Sequence, residues 1–210
     1  MNDAERDAHW QWCRTFIDHN CIFRSPPGRP LLVSPWGGLS MWQFYMQAAL
    51  LNGEFAYRVA LLFWDRFGAD YSRRPFQICG CESGGVALIS ALQSMAYNYG
   101  VAVNVFMIKQ AAKTYGLKNW LEGTALEKLP VMMADDIIAH KRTLTEQSQR
   151  IAEFGLELYP EAFAVVSCKL DVPGFIEVGE QKINCSVLFH PRDFVFSQPE
   201  YAAKYGARHE

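Results

Sequence analysis

The chain has 210 residues and a formal net charge of -2, with 20 Lys and Arg against 22 Asp and Glu. Half of its residues are hydrophobic and 14% are aromatic, which suffices for one domain with a sizeable core without disulfides or a structural metal. Because no block of Lys and Arg follows any one element, the composition excludes an obvious polyanion-binding surface, and we expect no nucleic-acid partner.

The N-terminal residues, the length of the apolar stretches and the spacing of the cysteines indicate the cellular compartment. The first residues are acidic and polar, unlike a signal peptide, and the apolar stretches are interrupted before they reach the length of a membrane span. None of the six cysteines forms a C-x-x-C pair, and the five histidines do not cluster with them, so we expect free thiols rather than a zinc site. Cys79 and Cys168 fall in apolar runs and are predicted to be buried. We expect a cytoplasmic protein that does not bind membranes.

In chain order, the first part of the domain, residues 1–70, is mostly helical. Prolines forbid regular structure after Arg24, and Asn52–Gly53 predicts a break in a long stretch of helical period. The predicted elements are a helix at 3–17, a loop at 24–30, a short strand at 31–33, a turn at 35–38 and helical structure at about 43–67.

From residue 75 onward, predicted strands alternate with predicted helices. The strands are 76–79, 101–108, 129–134 and 162–168, and the helices are 86–99 and 143–154. This alternation predicts an α/β fold, with an open, mostly parallel twisted sheet flanked by helices over residues 75–170. Residues 171–210 form a C-terminal extension of the same single domain, in which the alternating stretch 182–189 predicts an edge strand or a hairpin arm.

Two connections of this sheet suit an anionic ligand. The glycines of the loop Gly80–Gly85 allow close backbone approach, and successive N–H groups can form an anion nest. The connection 108–124 is long and carries three lysines, as expected of a lid over phosphates. The alternatives are an ordinary glycine-rich turn and a solvated surface loop.

The third connection is the most informative. The apolar run 131–134 ends in Asp135 and Asp136, and a helix follows shortly afterwards. In a parallel sheet, these carboxylates would lie at the edge where ligands bind. They can accept hydrogen bonds from a sugar diol or hold Mg²⁺ through water, while the helix N-terminus can receive a phosphate. The alternative is that both aspartates only form a turn and cap a helix.

The segment Val131–Leu144 has an apolar strand, two acids, two apolar residues, a polar loop and a helix. Together with the other two loops, it resembles the type I phosphoribosyltransferases, and most closely the orotate phosphoribosyltransferases, over residues 44–168. The resemblance implies transfer of phosphoribose from phosphoribosyl pyrophosphate to a nucleobase, with Mg²⁺ bound through substrate and water, in a homodimer. It implies catalytic roles for Asp135 and Asp136 at the ribose and for Lys109 and Lys113 over the pyrophosphate. The further substrate contacts that it implies are Glu82, Ser83, Gly84, Gly85, Tyr115, His140, Lys141, Arg142, Thr143, Phe44 and Tyr45.

The chain departs from the family pattern in several places. The phosphate loop after the acidic pair is usually Thr-Thr-Gly-Gly-Ser, whereas residues 139–143 are Ala-His-Lys-Arg-Thr. Gln110 replaces a lid lysine, and Gln47 and Ala49 replace an acid and an arginine on the nucleobase side. The alternative function is therefore a catalytically inactive homologue that binds a nucleotide or phosphoribosyl ligand in regulation or assembly. Hydrolysis through Ser83 lacks the G-x-S-x-G motif and a triad partner.

Overall fold

A seven-stranded sheet organises the computed structural model of this chain, which describes residues 1–24, 32–33, 39–40, 42–81, 84–109, 120–138, 141–168 and 174–194. Two short 3₁₀ helices, Tyr97–Tyr99 and Pro191–Asp193, supplement the regular elements. The regular elements, in chain order, are α1 (Asp3–Asn20), β1 (Ile22–Arg24), β2 (Leu32–Val33), β3 (Leu39–Ser40), β4 (Trp42–Phe44), α2 (Met46–Leu50), α3 (Gly53–Arg73), β5 (Gln77–Cys81), α4 (Gly84–Ala96), β6 (Val105–Ile108), β7 (Leu121–Gly123), β8 (Val131–Ile138), α5 (Lys141–Glu153), β9 (Glu161–Ser167), β10 (Phe175–Val178) and β11 (Gln181–Phe189).

The N-terminal helices begin where polar side chains cap them. The side chain of Asn2 accepts a hydrogen bond from the N–H of Glu5, whose carboxylate accepts one from the N–H of Asn2, a capping box that starts α1. The side chain of Asn52 accepts a hydrogen bond from the N–H of Phe55 and starts α3. The predicted break at Asn52–Gly53 is therefore confirmed. The helix predicted from residue 43 begins only at Met46, because Trp42–Phe44 pairs with β1 as a strand.

The large sheet has the strand order β10-β11-β9-β8-β5-β6-β7. The pairs β5–β6, β5–β8, β8–β9 and β9–β11 are parallel, whereas β7 and β10 are antiparallel strands at the two edges. The predicted open, mostly parallel α/β sheet is confirmed. The chain passes from β5 to β6 on one side and then returns to β8 on the other side of β5. The carboxyl ends of β5 and β8 therefore flank a topological switch point, where folds of this class bind ligands.

Apolar side chains cover both faces of the sheet. Successive residues of β8 point to opposite faces, so Met132 joins one buried cluster and Met133 joins the other. The first cluster contains most of the aromatic core and the helices α1–α4. The ring nitrogen of Trp64 in α3 donates a hydrogen bond of 2.7 Å to the carbonyl of Leu92 in α4, which fixes the two helices together. The second cluster lies on the other face of the sheet, between the strands and α5.

The C-terminal stretch and several strand ends differ from the sequence-based predictions. The predicted stretch 182–189 is a hairpin arm, β11, but it lies inside the sheet between β9 and β10, and β10 forms the edge. Residues 101–104 are not in a strand, and β6 starts at Val105. The predicted loop after Arg24 and the turn at 35–38 fall outside the described residues.

All six cysteines are free thiols. Cys79 is fully buried as predicted, and Cys168 is partly buried. In the part of the chain that the structure describes, no helix is long and apolar enough to cross a lipid bilayer.

Candidate functional site

The two aspartates of the acidic pair lie inside β8 and not in a turn after it. Their strand was predicted to end at Ala134, but it continues to Ile138 because Asp135 and the residues after it pair with β9. Pairing with β5 on the other side stops at Ala134, opposite Gly80. The acidic pair therefore begins where β8 loses its β5 partner, at the switch point between the two strands.

Glycines bring the start of α4 against this acidic pair. A Cβ atom built on Gly84, the first residue of α4, would overlap the carboxyl group of Asp136. A Cβ on Gly80 would lie 2.8 Å from the carbonyl oxygen of Gly85, and a Cβ on Gly85 would lie 3.3 Å from the carbonyl oxygen of Ala134. The lack of a side chain at Gly80 and Gly84 lets α4 start directly over β5 and β8, and a side chain at Gly85 would be tightly packed. The described glycines of the predicted pyrophosphate loop are thus brought to the acidic pair, with Gly84 and Gly85 in the first turn of the helix.

Burial controls the charge of the acidic pair. Asp135 is 8% exposed, and its Oδ1 accepts a hydrogen bond of 2.9 Å from the N–H of Asp136. Burial, and then the neighbouring charge of Asp136, hold the pKa of Asp135 well above its usual range. Burial also raises the pKa of Asp136, although a hydrogen bond from Asp135 opposes that shift. The pair therefore keeps a proton at a higher pH than two separate carboxyl groups would.

Burial favours the protonated thiol at Cys79 and Cys168. Burial raises the pKa of Cys79 to about 12, and burial raises the pKa of Cys168 to about 12 as well. The buried amide of Gln147 in α5 donates a hydrogen bond of 3.2 Å to the carbonyl of Cys79 and fixes α5 to β5. Sequence analysis did not single out Gln147, because nothing in a helical glutamine signals such a contact.

Lys109 comes directly after β6 and is a buried cation at this edge. It is 3% exposed, its N–H donates a hydrogen bond of 2.9 Å to the carbonyl of Trp120, and its ammonium group forms an ion pair with Glu122 of β7. The adjacent residue Ile108 pairs with Cys81, the last residue of β5, so Lys109 lies at the carboxyl end of β5. Sequence analysis missed Glu122 as a partner of Lys109.

In the stretch 108–124, predicted to be one long connection and a lid, Ile108 ends β6 and residues 121–123 instead form the antiparallel strand β7. The ring of Trp120, just before β7, lies under the guanidinium of Arg150 from α5, 3.8 Å from the ring centroid. Lys113 and Tyr115 fall outside the described residues, and their roles stay predictions.

The other predicted contacts are distributed over three elements. Thr143 is partly exposed in the first turn of α5, which begins at Lys141. Phe44 is buried and packs against Phe194 with ring centroids 5.3 Å apart, whereas Tyr45 is 46% exposed. Tyr45 precedes α2, which packs against β8. The roles of these residues at a substrate stay predictions. Glu82, Ser83 and His140 fall outside the described residues, as do the side chains of Lys141 and Arg142.

Comparison with known proteins places this arrangement of elements. No protein-family model and no curated protein sequence matches the chain. Among solved structures, it is similar to an orotate phosphoribosyltransferase from Mycobacterium tuberculosis H37Rv in complex with Fe(III) dicitrate, with a TM-score of 0.67, 11% identity, and coverage of 88% of this chain and 98% of that one. It is also similar to a phosphoribosyltransferase from Corynebacterium diphtheriae, with a TM-score of 0.66, 10% identity, and coverage of 89% and 98%. The chain has the fold of the type I phosphoribosyltransferases.

A third similar structure has a lower TM-score and is also a phosphoribosyltransferase. The adenine phosphoribosyltransferase from Trypanosoma brucei, in complex with AMP, pyrophosphate and ribose-5-phosphate, matches with a TM-score of 0.52 and 19% identity, over 74% of this chain and 67% of that one. Orotate and adenine phosphoribosyltransferases therefore share the fold of this chain. The resemblance predicted from the acidic pair and its neighbouring loops is confirmed at the level of the fold.

Proposed function

We propose that this protein binds phosphoribosyl pyrophosphate with Mg²⁺ and transfers the phosphoribosyl group to a nucleobase. The observation that carries this proposal is the contact between Asp136 and Gly84 at the switch point of a phosphoribosyltransferase fold. In the reaction, the bond between C1 of the ribose and the pyrophosphate oxygen breaks, and pyrophosphate leaves with the electron pair. A ring nitrogen of the base forms a bond to C1 and releases its proton to solvent. Orotate is one candidate base, and the sequence leaves others open.

Each residue of the site has a task that its position supports. Asp135 and Asp136 would accept hydrogen bonds from the ribose hydroxyls and stabilise the positive charge that develops on the ribose. Lys109, at the carboxyl end of β5, would contact the leaving pyrophosphate. The carboxylate oxygens fit Mg²⁺, which prefers oxygen ligands and retains several waters, so the ion would be held through substrate and water. When bound, it would neutralise charge on the pyrophosphate.

The second candidate is a catalytically inactive homologue that binds a phosphoribosyl or nucleotide ligand and acts in regulation or assembly. Two observations favour it. Residues 139–142 contain none of the usual glycines, so the backbone cannot approach a phosphate as closely. Asp135 is almost completely buried, which limits its access to a sugar.

Calorimetric titration with phosphoribosyl pyrophosphate tests the donor site, with and without Mg²⁺ and with ribose 5-phosphate for comparison. We expect Mg²⁺-dependent binding that is lost in Asp136→Asn. The matched control is Asp7→Asn, which removes the same charge from an exposed position on α1. Absence of binding at millimolar donor would refute the transferase and also an inactive homologue that retains the donor site.

Product formation separates the two candidates. We expect release of pyrophosphate when the donor is mixed with one member of a panel of nucleobases that includes orotate. Mg²⁺-dependent donor binding without pyrophosphate release for any base would favour the inactive homologue.

Two further expectations accompany the proposed function. We propose a homodimer, supported by the exposed side chains of Phe23, Tyr45, Leu51 and Tyr57 on the N-terminal part, and sedimentation equilibrium measures the mass. We also propose a cytoplasmic location, supported by six free thiols in one small domain. Fluorescent tagging of the protein in cells tests the location.

A further inference from the structure

We infer that Glu122 holds the ammonium group of Lys109 in the ligand-free protein and competes for it with the pyrophosphate group of the donor. This inference rests on the proposed function, because it assigns a regulator to the same site. Glu122 would be a positioning residue, since it acts on the ligand only through Lys109. To bind Lys109, a phosphate group of the ligand would then have to displace the carboxylate of Glu122 from its ammonium group.

The geometry of the β6–β7 hairpin places the two charges together. Met107 lies opposite Glu122 in the antiparallel register, and Lys109 lies two residues beyond Met107, so Lys109 and Glu122 share one face of the hairpin. The N–H of Lys109 donates to the carbonyl of Trp120, which holds the two chain segments in this register at the level of the lysine. The ion pair is therefore built into the hairpin.

The burial of the two partners is unequal. The side chain of Lys109 is 4% exposed, whereas that of Glu122 is 45% exposed. A buried ammonium group requires a negative partner, because burial of an unpaired charge is strongly unfavourable. The partly exposed carboxylate of Glu122 provides a negative partner that lies within reach of water, where another anion can replace it.

The position of the pair points to pyrophosphate as the competing anion. Lys109 is one residue beyond the pair Cys81–Ile108, so it lies at the carboxyl end of β5, and Gly84 starts α4 three residues after Cys81. The carboxyl group of Asp136 contacts Gly84 at the same edge. A donor whose ribose lies at Asp136 would thus extend its pyrophosphate toward Lys109, where Glu122 already provides a negative charge.

Binding of inorganic pyrophosphate alone tests this inference by calorimetry at fixed ionic strength. We expect Glu122→Gln to bind pyrophosphate about tenfold more tightly than the wild type, within the usual range of coupling between two sites. Glu122→Asp, which shortens the side chain by one methylene, should fall between the two. The matched control is Glu127→Gln, which removes the same charge from an exposed position five residues later. Adding Lys109→Met to Glu122→Gln should abolish the gain.

A thermal shift provides a second measurement. Because Glu122→Gln leaves Lys109 with less compensating charge, we expect a lower melting temperature than the wild type, and a larger rise on addition of pyrophosphate. An affinity in folded Glu122→Gln equal to or below that of the wild type would overturn the inference. So would a gain that persists after Lys109→Met.

Failure of this inference can be distinguished from failure of the proposed function, which is tested by titration of the wild type and Asp136→Asn with phosphoribosyl pyrophosphate and Mg²⁺. A gain in pyrophosphate affinity without donor binding by the wild type would support the role of Glu122 and refute the donor site. Donor binding without a gain in Glu122→Gln would support the donor site and refute the role of Glu122.

Discussion

Replacing Asp135 by asparagine should stabilise the protein at neutral pH. Asp135 is 8% exposed, and its Oδ1 accepts a hydrogen bond from the N–H of Asp136. Asparagine has nearly the same shape and keeps a carbonyl oxygen for that hydrogen bond, so the substitution removes the charge and leaves the packing. The free energy of unfolding then reports the cost of ionising a carboxyl group inside the sheet.

The stabilisation expected from Asp135→Asn depends on pH through the raised pKa of Asp135. Burial raises the pKa of Asp135 in the folded protein, whereas the unfolded chain has the ordinary value of about 3.9. Between these two pKa values, the folded protein binds more protons than the unfolded chain, so the free energy of unfolding falls as pH rises. One proton contributes at most about 1.4 kcal/mol per pH unit. The raised pKa of Asp136 acts in the same direction.

Urea denaturation followed by circular dichroism between pH 4 and pH 8 measures this effect. We expect Asp135→Asn and the wild type to be similarly stable near pH 4, and the variant to become more stable than the wild type as pH increases. Asp7→Asn, on the exposed face of α1, should run parallel to the wild type. If the curves for Asp135→Asn and the wild type are parallel, or if the variant is less stable at pH 7, the reasoning from burial is wrong. We also expect weaker donor binding in this variant, because the charge belongs to the proposed site.

Two substitutions test the packing that positions the site. Gly84→Ala should displace the carboxyl group of Asp136, destabilise the protein by about 1–3 kcal/mol and abolish donor binding. In the control Gly53→Ala, where a Cβ meets open space, stability should stay within about 0.5 kcal/mol of the wild type and donor binding should not change. Thermal unfolding and calorimetry measure these effects, and wild-type donor binding by Gly84→Ala would contradict the contact between Gly84 and Asp136. Trp64→Phe removes the hydrogen bond to the carbonyl of Leu92 and leaves a small void, so it should cost about 1–2 kcal/mol in urea denaturation. A change below about 0.5 kcal/mol would show that this hydrogen bond does not contribute to the stability of α3 on α4.

The sequence by itself determined the class of fold and the main elements of the site. Alternating apolar strands and amphipathic helices are local signals, and short connections between them leave a parallel sheet as the natural arrangement. In the sequence, the acidic pair and the glycines of 80–85 each come at the end of an apolar run, so their meeting at one edge was predictable. The predicted type I phosphoribosyltransferase fold is confirmed by the similarity to solved structures.

Only the tertiary structure decided how the charges of that edge are paired and buried. The strand β8 extends to Ile138, beyond its predicted end, because β9 supplies hydrogen bonds that the local sequence does not reveal. The strand β11 lies inside the sheet because it pairs with both β9 and β10, and the local sequence does not reveal the pairing with β9. The ion pair of Lys109 with Glu122 depends on the register of β6 against β7, and the register of two strands is fixed by the whole packed sheet. Residue types and their order specify which chemistry is present, whereas long-range pairing specifies which groups meet and how much water reaches them.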